Sequence, residues 1–164
     1  MAGVLALCLS GIATLALSVR SGIQSQASAS SDNTQWTMSQ LDVEFLSYKE
    51  AVTAALTGSG DLAEVRKRFN IVYSRSNTFL QSKVFARVLD DESYAKGLAQ
   101  LRSFLDGYIP QIDGPDEALR AALPHMAQGI DGLRPKVREL AVLGLKLFAT
   151  AADREREVMV KTLV

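Results

Sequence analysis

The chain has 164 residues, and its eighteen basic and eighteen acidic side chains cancel. A neutral balance of this kind offers no electrostatic footprint for nucleic acid and no acidic tail. The single cysteine, Cys8, lies inside an apolar stretch, so the rest of the chain excludes disulfides and thiolate metal sites.

The first nineteen residues, MAGVLALCLSGIATLALSV, carry no charge, and Arg20 ends the run. As a helix rising 1.5 Å per residue this segment spans about 28 Å, close to the ~30 Å hydrocarbon core of a bilayer. The expectation is a transmembrane helix over residues 1–20, or an uncleaved signal anchor. Ala27-Ser28-Ala29 is A-x-A-like and offers a cleaved signal peptide as the alternative. The apolar run exceeds a typical signal core, no Lys or Arg precedes it, and Arg20 stands well before the A-x-A; all three favour an anchor. The positive-inside rule places the Arg20 side in the cytoplasm, whereas an exported domain needs that side outside. A basic stretch preceding Met1 would reconcile the two.

Residues 21–33, SGIQSQASASSDN, read as a linker or a solvated helical extension. From Trp36 a heptad pattern sets in. Met38, Leu41, Phe45, Tyr48, Val52 and Ala55 are spaced 3,4,3,4,3, which predicts an amphipathic helix. Thr57-Gly58-Ser59-Gly60 breaks it, and Asp61 with Glu64 predicts a capped start for the next helix. That second helix carries Leu62, Val65, Phe69, Val72, Ser76 and Phe79 at the same spacing and is expected to run through Phe85.

Asp90-Asp91-Glu92 suit the first turn of a third helix with Tyr94, Leu98, Leu101, Leu105, Tyr108 and Ile112 on its apolar face. Pro110 and Gly114-Pro115 are expected to close it. A short helix over Asp116–Leu123 should follow. A long last helix, opened by Pro124 or Pro135, is marked by Leu133, Val137, Leu140, Gly144, Leu147, Ala151, Arg154 and Val158. Four amphipathic helices with short breaks bury their stripes best as an antiparallel up-down bundle. The fold class is therefore all-α: an N-terminal transmembrane helix followed by a four-helix bundle over residues 34–164. An even number of helices returns the last one to the end where the first began. The uncapped Leu163-Val164 then suggests a second span beyond the chain.

Catalytic chemistry finds little support. His125 is the only histidine, beside a proline and without the following basic and small residues of a phosphotransfer site. One histidine makes neither a zinc site nor a Ser/His/Asp set. No glycine pattern cradles phosphates, so no cofactor is implied. Asp42, Glu44 and Glu50 fall outside the first seam and read as a solvated polar face. Arg68 and Arg75 are seven apart and share a helix face, where with Tyr73 between them they could clamp an anionic ligand. The alternative is pairing with acids on a neighbouring helix. Trp36 reads as an interfacial or core aromatic, or as the lining of a pocket near the membrane.

The stretch from Asn33 through Trp36 to Leu46, followed by Arg68-Phe69-Asn70-Ile71-Val72-Tyr73-Ser74-Arg75, resembles the N-terminal periplasmic sensor regions of bacterial membrane-bound histidine kinases, hybrid kinases included. The resemblance covers about residues 30–85. It implies an inner-membrane homodimer with a helical bundle in the periplasm and signalling modules inside, responding to a small molecule or a periplasmic protein. The kinase itself is not in this chain. A single-span scaffold, a secreted carrier, and the sensor part of a chemoreceptor or diguanylate cyclase remain alternatives.

Overall fold

The computed structural model describes Ser18, residues 36–81 and residues 85–162; for residue 87 and residues 151–162 the backbone alone is described. The segments expected to be a membrane helix and a linker, 1–20 and 21–33, thus lie outside the described residues apart from Ser18. Among the described residues there is no strand, and no helix is long and apolar enough to cross a membrane.

Helix α1 covers residues 36–56. Its predicted seam, Met38, Leu41, Phe45, Tyr48, Val52 and Ala55, is buried. The helix ends in a Schellman motif: Gly58 takes φ of 79°, Ser59 N–H donates to the Ala54 carbonyl at 2.9 Å and Gly58 N–H to Ala55 at 3.3 Å. Only glycine enters this left-handed conformation without cost, so the Gly58 position stops the helix at the predicted place. Asp61 then caps α2, Leu62–Gln81, accepting from Glu64 N–H at 2.7 Å. The predicted box is half formed, since the Glu64 carboxylate turns away to Lys67 and Arg68.

The six predicted seam residues of α2 are its buried residues. The helix is described to Gln81 rather than through Phe85, and Phe85 instead precedes the short α3, Ala86–Leu89. Phe85 packs edge-on against Phe79 with centroids 4.7 Å apart. Asp91 caps α4, Glu92–Ile112, accepting from Tyr94 N–H at 2.9 Å. Pro110 lies in its last turn; the helix closes at Ile112, before Gly114-Pro115.

The last segment departs most from expectation. Instead of a short helix and a second one opened by a proline, a single α5 runs Asp116–Thr162 with Pro124 and Pro135 inside it. Leu119, Leu123, Met126, Ile130, Val137 and Leu140 are buried along one side, with Leu133 packed against the core. Both prolines are exposed, as are Arg120 and Asp131, whose carbonyls lose their helical donors. Water can solvate those carbonyls, so neither proline breaks the inward face.

Pairings across the bundle fix its topology. Tyr48 meets Phe69 at 5.9 Å, Tyr73 meets Arg102, and Gly97 meets Leu140. Lys49 bridges to Asp131 at 2.6 Å. Numbers rise on one helix as they fall on its neighbour, so α1, α2, α4 and α5 form an antiparallel up-down four-helix bundle with α1 beside α5. A Cβ on Gly144 would stand 3.0 Å from Tyr94 Cε2 and 3.3 Å from Met38 Sδ. Glycine there lets α5 approach α1 and α4 at once.

Replacing Pro124 or Pro135 by Ala restores an N–H donor on a solvent-facing turn. Each substitution is expected to stabilise the fold by about 1–3 kcal/mol in urea unfolding. A loss of stability would mean that the prolines set a curvature the bundle needs.

The Tyr48 hydroxyl is buried without a hydrogen-bond partner among the described residues. Burial, followed by the nearby Tyr108, pushes its phenol well above the ordinary range, and burial takes Tyr94 up to about 12. The folded chain therefore keeps phenol protons that the unfolded chain releases from pH 10 upward. Stability is full below pH 10 and falls as pH rises towards 12. Tyr48→Phe is expected to gain about 1–2 kcal/mol at neutral pH by removing an unpaired buried hydroxyl, and to lessen the alkaline loss. Unfolding curves at pH 7 and 11 check both.

Candidate functional site

Three groups of polar side chains involve α2, the first two through its basic residues and the third through Tyr73. The first joins α2 to the α4–α5 turn. Arg66 Nε donates to the Ile112 carbonyl, Nη2 to the Gly114 carbonyl and Nη1 to Asp116 Oδ1, each at 2.8 Å. One planar guanidinium thus satisfies carbonyls at the end of α4 and pairs with an acid in the first turn of α5. A Cβ on Gly114 would stand 2.6 Å from the Pro110 carbonyl oxygen, so this turn is tight as well as clamped.

The second group lies between α1 and α2 and holds three of the four residues expected to bind a ligand. Arg68 and Arg75 do share a face, and Glu44 of α1 stands between them. Glu44 Oε2 is 3.8 Å from Arg68 Nη1, and Oε1 is 3.8 Å from Arg75 Nη2. Neither distance is a hydrogen bond. Arg68 is held more closely by Glu64 on its own helix, Nε to Oε1 at 2.6 Å. Arg68 and then Lys67 hold the Glu64 carboxyl below the usual carboxylate range. The Arg75 guanidinium lies over the Trp36 ring at 5.7 Å, a cation–π contact on a ring that is 55 % exposed.

Tyr73 belongs to a third group, on the α4 side of α2. Its ring stacks on Phe69 at 5.8 Å, with the Arg102 guanidinium 3.9 Å from its centre. Arg102 Nη2 also donates to the Tyr73 hydroxyl at 2.7 Å and to Asp106 at 3.2 Å. The structure therefore brings Trp36, Arg68 and Arg75 together and separates Tyr73 from them.

Asp42 and Glu44 are not the solvated face expected of them. Glu44 is 18 % exposed, and Asp42 lies 3.7 Å from Arg134 Nε of α5. Both of the latter atoms are buried and neither has a hydrogen-bond partner among the described residues. The reason is geometric: these acids flank the α1 seam, and flanking positions of a bundle helix face the neighbours' flanks. Glu50, further round, is exposed. Arg66 was missed as a structural centre because carbonyl acceptors have no sequence signature. His125 is exposed, and among the described residues no cluster of three ligating side chains could hold a metal.

Comparison with protein-family models, curated proteins and solved structures finds no match for the chain.

Removing the Arg66 guanidinium leaves two carbonyls and a carboxylate without their donor. Arg66→Met is expected to cost about 2–4 kcal/mol, whereas Lys67→Met, an exposed pair, changes stability by less than about 0.5 kcal/mol. Chemical denaturation of the two variants side by side checks the contrast.

Proposed function

We propose that the bundle is the extracytoplasmic sensing domain of a membrane-tethered signalling receptor of the sensor histidine kinase kind, working as a homodimer in a bacterial inner membrane. The observation that carries this reading is the placement of the first and last long helices. α1 and α5 lie side by side and antiparallel, linked by Lys49–Asp131 and by the packing of Met38 on Gly144. From Gly144 the helix continues for another 18 residues to Thr162, about 27 Å. A chain that enters the bundle at Trp36 thus leaves it from the same end. Together with the uncharged run over residues 1–19, this suits a domain standing on one membrane face.

The coupling proposed is a shift of α1 against its neighbours. Packed helices change in discrete steps, and a stimulus acts by favouring one arrangement over another. Glu44 gives α1 two alternatives, since it is equidistant from Arg68 and Arg75, which are two turns apart on α2. A move in one direction shortens one contact and lengthens the other. A second reading, an anchored scaffold that binds another protein, is favoured by the exposed apolar side chains Trp36, Val43 and Val142.

Alkaline phosphatase, which folds only outside the cytoplasm, reports the placement when fused after Val164 of the full chain. The expected outcome is a membrane-bound, active fusion, with the matching green fluorescent protein fusion dark. An inactive phosphatase with a bright fluorescent fusion would overturn an extracytoplasmic domain. Recovery of the chain in the soluble fraction would overturn the tether.

A further inference from the structure

The outward side of α2 carries a shallow groove of roughly 630 Å³ lined by Lys67, Asn70, Ile71, Ser74, Arg75 and Thr78. Two cations, an amide and two hydroxyls face it, and no carboxylate does. The sequence explains the imbalance. From Val65 to Leu89 the chain holds Arg66, Lys67, Arg68, Arg75, Lys83 and Arg87 without a single Asp or Glu, although the whole chain is neutral. Lys67, Asn70, Ser74 and Thr78 recur every three or four residues, so their side chains line one strip of the helix.

Two of the four cations of α2 are already committed. Arg66 is bound by the α4–α5 turn and Arg68 by Glu64. Arg75 is not: among the described residues its guanidinium has an ion contact with Glu44 at 3.8 Å and a ring contact with Trp36, and no hydrogen bond. A planar fork with five donors therefore makes no hydrogen bond among the described residues, beside a groove whose lining carries no acid. Lys67 stands at the other end of the same strip, held only by an exposed contact to Glu64 at 3.3 Å.

We propose that this groove binds a small oxyanion carrying two charges, a dicarboxylate or a phosphate, between Lys67 Nζ and the Arg75 guanidinium. The Asn70 amide and the Ser74 hydroxyl supply neutral donors. The Thr78 hydroxyl is spent on the Ser74 carbonyl at 3.0 Å and serves as a wall. Ile71 gives the apolar floor against which the carbon chain of a dicarboxylate rests. The inference rests on the sensing reading for its meaning and names the class of ligand. The anion competes with Glu44 for Arg75. Its binding frees Glu44 to close on Arg68, which biases α1 towards one of its two positions.

The test is isothermal titration and thermal unfolding of the full chain in detergent, with succinate, phosphate and, at equal ionic strength, sodium chloride. Succinate or phosphate is expected to bind and to raise the unfolding temperature beyond the chloride control. Lys67→Gln and Arg75→Gln should each weaken that binding about tenfold, the loss of one charge-assisted contact. Glu44→Gln should tighten it severalfold, because the competing carboxylate is gone. A stabilisation equal to that of chloride overturns the site, as does binding unchanged in a folded Lys67→Gln variant. If Arg75→Gln fails to fold, Lys67→Gln and Glu44→Gln decide. Binding to phosphatidylglycerol vesicles without binding to free succinate or phosphate assigns the strip to lipid headgroups and overturns the proposal. The phosphatase fusion reads topology alone, so either result there leaves the titration informative.

Discussion

The bundle depends on one uninterrupted apolar stripe, that of α5. From Leu119 through Leu123, Met126, Ile130, Leu133, Val137 and Leu140 to Gly144, the inward positions alternate four and three residues apart across both prolines. Three shorter helices dock along it, and α2 and α4 have 20 and 21 residues against its 47. A helix of that length is rarely held by its own propensity. From Leu119 to Gly144 it persists because each turn buries side chains in the bundle. The prolines are tolerated for the same reason: their cost falls on solvated carbonyls, while the face that carries the packing energy stays intact.

Charges then decide which helix lies beside which. Heptad seams alone specify that four helices pack, without saying which neighbours they take. Here α1 presents Asp42 and Lys49 to α5 and Glu44 to α2, while α2 presents Arg66 to the α4–α5 turn. These contacts differ in quality. The Arg66 clamp makes three hydrogen bonds of 2.8 Å and spans chain positions nearly fifty residues apart, so it locks the α4–α5 end to α2. The contacts of Glu44 with its arginines and of Asp42 with Arg134 are close in charge but long for hydrogen bonds. The bundle is thus tied firmly at the end where α4 turns into α5, whereas along α1 the one short ion pair, Lys49–Asp131 at 2.6 Å, is solvent-exposed.

The seams of α1 and α2 were legible in the sequence residue by residue, and that of α4 at every position but Tyr108, which is half-buried, because a 3,4 spacing marks the buried side of a helix. Gly58 and the capping acid Asp61 were legible too, since each does a job that few residue types do; of Asp90-Asp91-Glu92, expected in a first turn, only Glu92 is there, with Asp91 as the cap before it. The continuity of α5 was hidden by reading its prolines as boundaries. What decides is the side of the helix on which a proline falls, and the phase of Leu119, Leu123, Met126 and Ile130 contained that information. The partners of the arginines were not legible. Arg68 and Arg75 sharing a face followed from their spacing, but whether Glu44 or solvent lay opposite depended on which helix became the neighbour. Tyr73 illustrates the same limit: two residues from Arg75 on the chain, it faces a different helix.

Uneven satisfaction of polar groups has a mechanical consequence. A buried group with all its hydrogen bonds made resists displacement, because any movement strands a donor or acceptor. A group short of its bonds has less to lose. Asp42, Glu44 and the Tyr48 hydroxyl, all on α1, are of the second kind, as are Gln111 on α4 and Arg134 on α5. The apolar seam of α1 keeps it in the bundle, while its polar flanks leave its position along the axis weakly determined. An anion at Arg75 would act on that weak coordinate. It changes one charge balance beside α1 and leaves the packed stripe of α5 untouched, so the fold that hosts the movement is not itself put at risk.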